Sequence, residues 1–255
     1  MPLLLGALAV AAAASMPALR HRGGETRASI LVVGSVNADV IIEVDRLPVR
    51  DETVTSRHPN TGTVVTGGKG ANQAVAAARL AGRSDFACCF GSDAAALEAE
   101  LSESGVDMSA SRHIADTGSG KGYVFLLADG SVSSVVVGGA NAAWTHEDAQ
   151  RVAALATSAD VLLLQQEVPE AVNEEVAAVA AAASVAVFLD VGGEERPISD
   201  EMLRRVDFLT PNLTELARLT GMSVDTECEV TVAAENLPRT FPYPSHTLPL
   251  TCPLA

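Results

Sequence analysis

From residue 30 to about residue 221, short apolar segments rich in β-branched residues alternate with longer Ala-rich segments of helical composition. The segments that predict strands are 30–44, which a Gly-Ser turn interrupts, 85–91, 160–165, 185–190 and 207–212, and those that predict helices are 69–81, 94–104, 145–156, 168–183 and 212–221. Strands that alternate with helices form a mostly parallel sheet with helices on both faces. The sequence therefore predicts an α/β fold around one central sheet.

Two stretches break this alternation. The segment 40–66 predicts a first hairpin region, with two short strands within 51–66 around a Pro-Asn-Thr-Gly turn. The segment 121–139 predicts a second hairpin with Asp129-Gly130 at its turn. We expect the two to form a separate small β layer beside the main sheet, within one domain over 30–237.

Charge and composition exclude some classes of function. The formal net charge is -15, and the chain contains no run of basic residues. Nucleic-acid binding needs clustered Lys and Arg to neutralise phosphates, so we expect no nucleic-acid partner. A small anionic ligand stays compatible with this charge, because a helix N-terminus and one or two cations can hold it. The four cysteines show no CxxC spacing, so no metal site is predicted from them.

Both ends of the chain differ from the predicted domain. Residues 1–18 carry no charge, and Arg20, Arg22 and Arg27 then appear against one acid, Glu25. This apolar run is too short to span a bilayer, and no membrane role is expected. Residues 1–29 predict a transit peptide for the chloroplast or another organelle. The alternatives are a secretory signal, or a disordered extension or misassigned start, which would leave the protein in the cytoplasm.

At the other end, residues 238–255 hold five of the twelve prolines. Proline removes backbone donors and interrupts helices and central strands. We therefore expect an aberrant Pro-rich tail that does not close the domain.

The turn Gly67-Gly68-Lys69-Gly70 directly precedes the helix predicted over 69–81. Glycines let the backbone approach a ligand closely, and the first N–H groups of a helix are unpaired and carry partial positive charge. The turn can therefore cradle electron-rich oxygens; the alternative is an ordinary strand-to-helix turn with a solvated lysine. It is not a phosphate-binding P-loop, because Thr63 and Gly70 stand at the deciding positions. No GxGxxG motif follows a predicted strand, which argues against a dinucleotide-dependent oxidoreductase.

Asn37 and Asp39 are two positions apart in an apolar strand, so they share a face if the segment is extended. Polar side chains buried without partners are costly, by several kcal/mol in apolar surroundings. A polyol could supply the partners, because a carboxylate accepts from hydroxyl groups and an amide both donates and accepts. The alternative is a strand-end pair that faces water or caps a turn.

Five stretches together resemble the ribokinase branch of the PfkB carbohydrate kinase family. They are VVGSVNADV (32–40), TGGKGANQAVAAARLAG (66–82), GGANAAW (138–144), LLLQQEVP (162–169) and FLTPNLTEL (208–216), and the resemblance covers about residues 30–230. It implies a central sheet between helices, with a β lid over the sugar that often forms a homodimer contact. It also implies ATP and Mg²⁺ as cofactors and phosphorylation of D-ribose to ribose 5-phosphate. Full-length members additionally use a monovalent cation, K⁺.

The resemblance also implies roles for individual residues. Asn212 would reach the nucleotide phosphates, and Glu215 would act on Mg²⁺ through a water molecule. The alternative for Asn212 is a plain helix cap, which can coexist with the phosphate role. Asn37 and Asp39 would bind sugar hydroxyls, and Glu167 would contact the sugar from the other side unless it is an exposed acid at a corner. The implied sugar pocket consists of Asn37, Asp39, Gly67, Gly68, Lys69, Asn72 and Glu167.

One feature of the family is absent from the 255 residues. Members carry a Gly-Ala-Gly-Asp motif whose Asp is the general base, and no GxGD occurs here. The later nucleotide-binding loops and the monovalent-cation site are missing as well. We therefore assign no catalytic residue and expect no useful ribose phosphorylation from the chain as printed. The alternatives are a non-catalytic sugar-binding or dimerising fragment, or a PfkB kinase for another sugar or a nucleoside.

Overall fold

The structure, a computed structural model, describes residues 28–56, 58–59, 61–193 and 196–237. The strands are β1 (Ile30–Val33), β2 (Asn37–Val44), β3 (Thr63–Gly67), β4 (Ser84–Ala87), β5 (Cys89–Phe90), β6 (Val106–Asp107), β7 (Arg112–His113), β8 (Gly120–Leu127), β9 (Val132–Val137), β10 (Val161–Gln166), β11 (Ala186–Gly193) and β12 (Phe208–Leu209). The helices are α1 (Lys69–Ala81), α2 (Ala95–Glu103), α3 (His146–Ala156), α4 (Glu170–Ala182), α5 (Asp200–Leu203), α6 (Leu213–Thr220) and α7 (Glu227–Glu235). Residues 1–27 of the predicted transit peptide and the whole predicted tail, 238–255, lie outside the described residues.

The central sheet has the order β12-β11-β10-β1-β4-β6, and its neighbouring strands pair in parallel. Successive side chains of a strand point to opposite faces, and the core follows this alternation. Leu31 and Val33 join the hydrophobic cluster that includes residues of α3 and α4. Ile30 and Val32 join the cluster that includes residues of α1 and α2. Both faces are therefore covered by helices, and the predicted α/β class is confirmed.

A second sheet of four strands has the order β3-β2-β8-β9. Its middle pair, β2 and β8, is parallel, and the outer pairs are antiparallel. The hairpin predicted over 121–139 is present, with Gly130 at a positive φ of 82° in its turn. This sheet corresponds to the separate small β layer expected from the sequence.

The short strand predicted at the start of 51–66 is wrong, because β3 is the only strand among the residues of that segment that the structure describes. Local side-chain bonds shape the chain before it. The Glu52 carboxylate accepts from the Val49 amide at 3.0 Å and pairs with Arg46, and Asp51 adopts a positive φ of 65°. Such side-chain bonds compete with strand pairing for the same backbone.

The single strand predicted over 85–91 is also wrong in part, because it is divided into β4 and β5. β4 belongs to the central sheet, whereas β5 pairs with β7. Between these two strands the Cys88 amide donates to the Ser111 hydroxyl at 3.1 Å, so at this position a side chain and not a neighbouring strand accepts from the backbone amide.

The predicted cap at Thr145 and Asp148 is present as a reciprocal capping box at the start of α3. Among the helices of the described ranges, none is long and apolar enough to cross a membrane.

Candidate functional site

The carboxyl ends of β1 and β10 meet the first turn of α1 at one edge of the central sheet. Ser35 follows β1, Glu167 follows β10, and Lys69 begins α1. Glu167 Oε2 accepts from the Ser35 hydroxyl at 2.5 Å and from the Lys69 amide at 2.9 Å. Ligands of open α/β sheets bind at this edge, so the position agrees with a ligand site.

The first amides of α1 are occupied by groups of the protein itself. The Gly70 amide donates to Ser35 Oγ at 3.3 Å, and the Ala71 amide donates to the Ser35 carbonyl at 2.9 Å. With the Lys69 amide bound to Glu167, the positive end of the helix already holds a carboxylate. The hypothesis that these amides cradle a ligand directly is therefore not supported for residues 69–71. Ser35 was missed as a site residue, although it lies between the strand end and Asn37.

Asp39 lies against two glycines of neighbouring strands. A Cβ added to Gly67 would sit 1.9 Å from Oδ2, and one added to Gly122 would sit 2.2 Å from Oδ1. Only residues without side chains leave room for the carboxylate there. Oδ1 is buried and has no hydrogen-bond partner within the described part of the chain. The amino-terminal end of β2 thus presents a buried acceptor whose bonding capacity is not satisfied.

The surroundings of Asp39 also change its protonation. Burial raises the pKa of this carboxyl, and the negative charge of Glu167 raises it further. The backbone amides of Gly122 and Gly68 act in the opposite direction and lower the pKa, although neither meets Oδ1 with the geometry of a hydrogen bond. The net result is a pKa above the ordinary value, because desolvation of the charged form is the largest effect.

Asn37 is 3% exposed and shares a face of β2 with Asp39. Its Oδ1 accepts from Nδ2 of Asn141 at 2.8 Å. Asn141 is 2% exposed and lies in the 3₁₀ turn Gly139–Ala142, within the motif GGANAAW. Sequence reasoning assigned no role to Asn141, and the one signal that could have found it was an amide among small apolar residues.

Lys69 forms an ion pair with Asp190 at the end of β11. Its Nζ lies 2.9 Å from Oδ1 and 3.2 Å from Oδ2 of that carboxylate. A Cβ added to Gly192 would sit 2.2 Å from Lys69 Nζ and 2.6 Å from Glu215 Oε1, so both groups lie over the same glycine. Lys69 therefore bridges the region around Glu167 and the region around Glu215. Asn72 is half-buried, and its side chain forms no hydrogen bond within the residues that the structure describes.

Asn212 and Glu215 form a capping box at the start of α6. Asn212 Oδ1 accepts from the Glu215 amide at 2.9 Å. The two Glu215 oxygens accept from the Asn212 amide and from Asn212 Nδ2, both at 2.8 Å. The cap considered as the alternative for Asn212 is present; Asn212 is exposed and Glu215 is half-buried. No group of three or more His, Cys, Asp or Glu residues suited to a metal ion occurs in the described ranges.

This fold and edge are those of an α/β protein with a candidate site for a small polar ligand at the carboxyl ends of its strands, beside a second small sheet. The profile of the pfkB family carbohydrate kinases matches residues 27–242, and the chain belongs to this family.

Similar proteins of known identity agree with this assignment. The chain is 41% identical to a ribokinase of Arabidopsis thaliana over 202 residues, which are 77% of this chain and 52% of that protein. It is 33% identical to a ribokinase of Haemophilus influenzae, over 82% of this chain and 67% of that one. The solved structure of Arabidopsis thaliana ribokinase complexed with ribose and ATP aligns with a TM-score of 0.70 at 36% identity, covering 85% of this chain and 70% of that chain. The chain thus spans about half the length of the Arabidopsis protein.

Proposed function

We propose that this chain binds D-ribose and supplies the sugar side of a ribokinase-type reaction, in which ATP phosphorylates ribose to ribose 5-phosphate. The observation that carries the proposal is the buried, unpartnered Oδ1 of Asp39. An unsatisfied buried acceptor in a native fold requires an explanation, and a ligand that donates to it is one. The ribose and ATP in the complexed Arabidopsis relative support the choice of ligands.

The sugar would be held by acceptors and donors at the ends of β2 and β10. Asp39 would accept from a sugar hydroxyl, as a charge-assisted hydrogen bond. Glu167 uses Oε2 for its bonds to Ser35 and Lys69, so its Oε1 can accept from a second hydroxyl. Gly67 and Gly68 would let the ring approach the backbone, and the side-chain amide of Asn72 would close the pocket beside them.

The nucleotide would approach from the side of Asn212 and Glu215, with Lys69 between the two ligands. Glu215 is a single half-buried carboxylate whose oxygens already accept from Asn212, which suits contact with Mg²⁺ through a water molecule. When bound, Mg²⁺ would neutralise charge on the phosphates during transfer. The chain's own part is to orient: the capping box fixes both side chains relative to α6.

The four-stranded sheet would act as the lid over the sugar and as the contact of a homodimer. Its exposed apolar side chains support this role, because contiguous apolar surface on a soluble protein marks an interaction site. By strand register Val64, Tyr123, Val135 and Val137 lie on one face of this sheet, whereas Val132 and Val136 lie on the other. Sedimentation analysis of the chain and of Val135→Glu tests the dimer: we expect dimers for the first and monomers for the second. Equal sedimentation of the two would contradict it.

A second candidate is sugar binding without turnover, which the absence of a GxGD motif from the 255 residues favours. Calorimetry of the chain with ribose, 2-deoxyribose and adenosine tests the ligand class. We expect saturable binding of ribose and at least tenfold weaker binding of the other two. If adenosine binds more tightly than ribose, the proposed ligand is a nucleoside and not ribose. If none of the three compounds binds, the proposed function is wrong.

A further inference from the structure

The backbone of Val36 fixes the orientation of the Asn141 side chain. The Val36 amide donates to Asn141 Oδ1 at 3.0 Å, and the Val36 carbonyl accepts from Asn141 Nδ2 at 3.1 Å. A backbone N–H can only donate and a backbone C=O can only accept, so the two ends of the Asn141 amide cannot exchange places. All of these groups are buried, and water cannot substitute for either bond.

This fixed orientation passes to Asn37. The second proton of Asn141 Nδ2 is directed at the Asn37 side chain, 2.8 Å from its Oδ1. Because that contact presents a donor, the Asn37 atom facing it must be the oxygen. The Nδ2 group of Asn37 then lies on the other side of its amide, where it donates to no group in the described part of the chain.

Gly120 provides the space for this contact. It is the register partner of Asn37 in the parallel pair of β2 and β8. A Cβ on Gly120 would sit 2.2 Å from Asn141 Nδ2 and 2.2 Å from Asn37 Oδ1. No side chain fits there without breaking the bond, so Gly120 belongs to the same arrangement.

We propose that Asn141 is a positioning residue that makes Asn37 a hydrogen-bond donor toward the ligand and denies it the role of acceptor. One face of β2 would then recognise two different groups of the ligand. One is an oxygen that accepts a hydrogen bond from Asn37, and the other is a hydroxyl that donates to Asp39. This inference rests on the proposed sugar site, and it specifies the polarity that the sugar must present there.

The first test is a double-mutant cycle read by ribose calorimetry on the full chain. Asn141→Asp keeps the acceptor for the Val36 amide but replaces the donor that faces Asn37, so the Asn37 amide should turn over. We expect roughly 10- to 100-fold weaker ribose binding, from a lost donor and an acceptor placed against a ligand oxygen. In an Asn37→Ala background the same substitution should change affinity by less than about threefold, because no amide is left to orient. Equal losses in both backgrounds, or no loss in either, would overturn the proposal.

Two further variants control for folding. Asn173→Asp places the same change at another buried asparagine, which donates to the Gln165 carbonyl at 2.7 Å and makes no bond with Asn37 or Asn141. It should lower the melting temperature but leave ribose affinity within about twofold. Gly120→Ala, which adds a methyl group against the bond, should reproduce the affinity loss of Asn141→Asp. Full affinity in Gly120→Ala would contradict the proposal.

A measurement on the unchanged protein separates this inference from the proposed function. With ¹⁵N-labelled asparagine, the Asn141 side-chain amide should exchange its protons slowly with water, and that of Asn37 should exchange fast. Ribose should slow the exchange of Asn37. If ribose has no effect but the difference between the two amides persists, the sugar assignment fails and the fixed orientation stands. If the Asn37 amide is the protected one, the orientation itself is wrong.

Discussion

The groups around Asp39 and those around Asn212 use the same residue types but are held in different ways. Near Asp39, the bonds join residues far apart in the sequence, Ser35 to Glu167 and Asn37 to Asn141. Around Asn212, the bonds join residues three positions apart and lie in solvent. The second cluster satisfies its polar groups, whereas the first leaves Asp39 Oδ1 buried and unpaired. The fold thus maintains a costly arrangement at one end of the site only, which is where recognition of a specific ligand needs it.

The largest expected effect concerns chemistry. If only the sugar end is complete, the purified 255-residue chain should turn over ribose at close to the background rate with ATP, Mg²⁺ and K⁺. A general base contributes about 10²- to 10⁴-fold and an oxyanion donor about 10²- to 10³-fold, and the GxGD motif that would supply them is absent. A coupled assay measures this rate. Saturable turnover that disappears in Asp39→Ala would show that another residue provides the base.

Asp39→Ala should weaken ribose binding by roughly 10- to 150-fold, the effect of losing a charged hydrogen bond. Calorimetry measures the affinity. Asp45→Ala is the matched control, because Asp45 directly follows the same strand, β2, but its side chain is 74% exposed. The control should bind ribose normally. Equal affinities of the two variants would place the sugar elsewhere.

Glu167→Gln should weaken ribose binding several-fold and reduce the free energy of unfolding by about 1–2 kcal/mol, because it removes the negative charge at the N-terminus of α1. Chemical denaturation and calorimetry measure the two effects. Glu170→Gln removes an acid from the first turn of α4, where no side-chain hydrogen bond is involved, and should cost less than about 0.5 kcal/mol. Similar losses from both variants would show that the bonds to Ser35 and Lys69 contribute little.

The raised pKa of Asp39 gives a pH dependence with a definite sign. The folded carboxyl holds its proton more tightly than the unfolded chain, so its contribution to stability is lost as pH rises from the ordinary value of 3.8 through the raised value. Asp39→Asn should therefore raise the melting temperature around pH 7 and have less effect around pH 4.

The same titration should appear in binding, with wild-type ribose affinity falling as Asp39 becomes protonated. The midpoint of that fall should lie at lower pH in Glu167→Gln, because the neighbouring negative charge is gone. Calorimetry across this pH range measures it, and an unchanged midpoint would exclude the charge of Glu167 as a cause.

The smallest effect is expected at the other end of the site. Asn212→Ala should cost about 1 kcal/mol of stability through the lost cap and leave ribose affinity unchanged. Thr226→Ala is the matched control, because Thr226 and Glu229 form the same type of capping box on α7. Both variants should lose similar stability in chemical denaturation. Only Asn212→Ala should weaken ATP binding as measured by calorimetry. Equal ATP affinities of the two variants would show that Asn212 acts only as a helix cap.

The sequence predicted the central fold because that part depends on local pattern. Alternating strands and helices, the cap at Thr145 and the helix over 69–81 are each readable within a few residues. The strand predicted near 51 was wrong because side-chain bonds of Glu52 replaced strand pairing. Ser35 and Asn141 were missed because their partners lie more than a hundred positions away, where no local pattern can reveal them.

The parallel pair of β2 and β8 has a consequence for the order of folding. Asn37 and Gly120 meet across this pair although β4, α2 and other elements lie between them in the chain. Contacts between distant residues form slowly, because a long loop must close before they contribute. The pocket around Asp39 depends on this pair, so it should be among the last parts to assemble during refolding. A newly made chain would then acquire its helices well before it acquires any affinity for sugar.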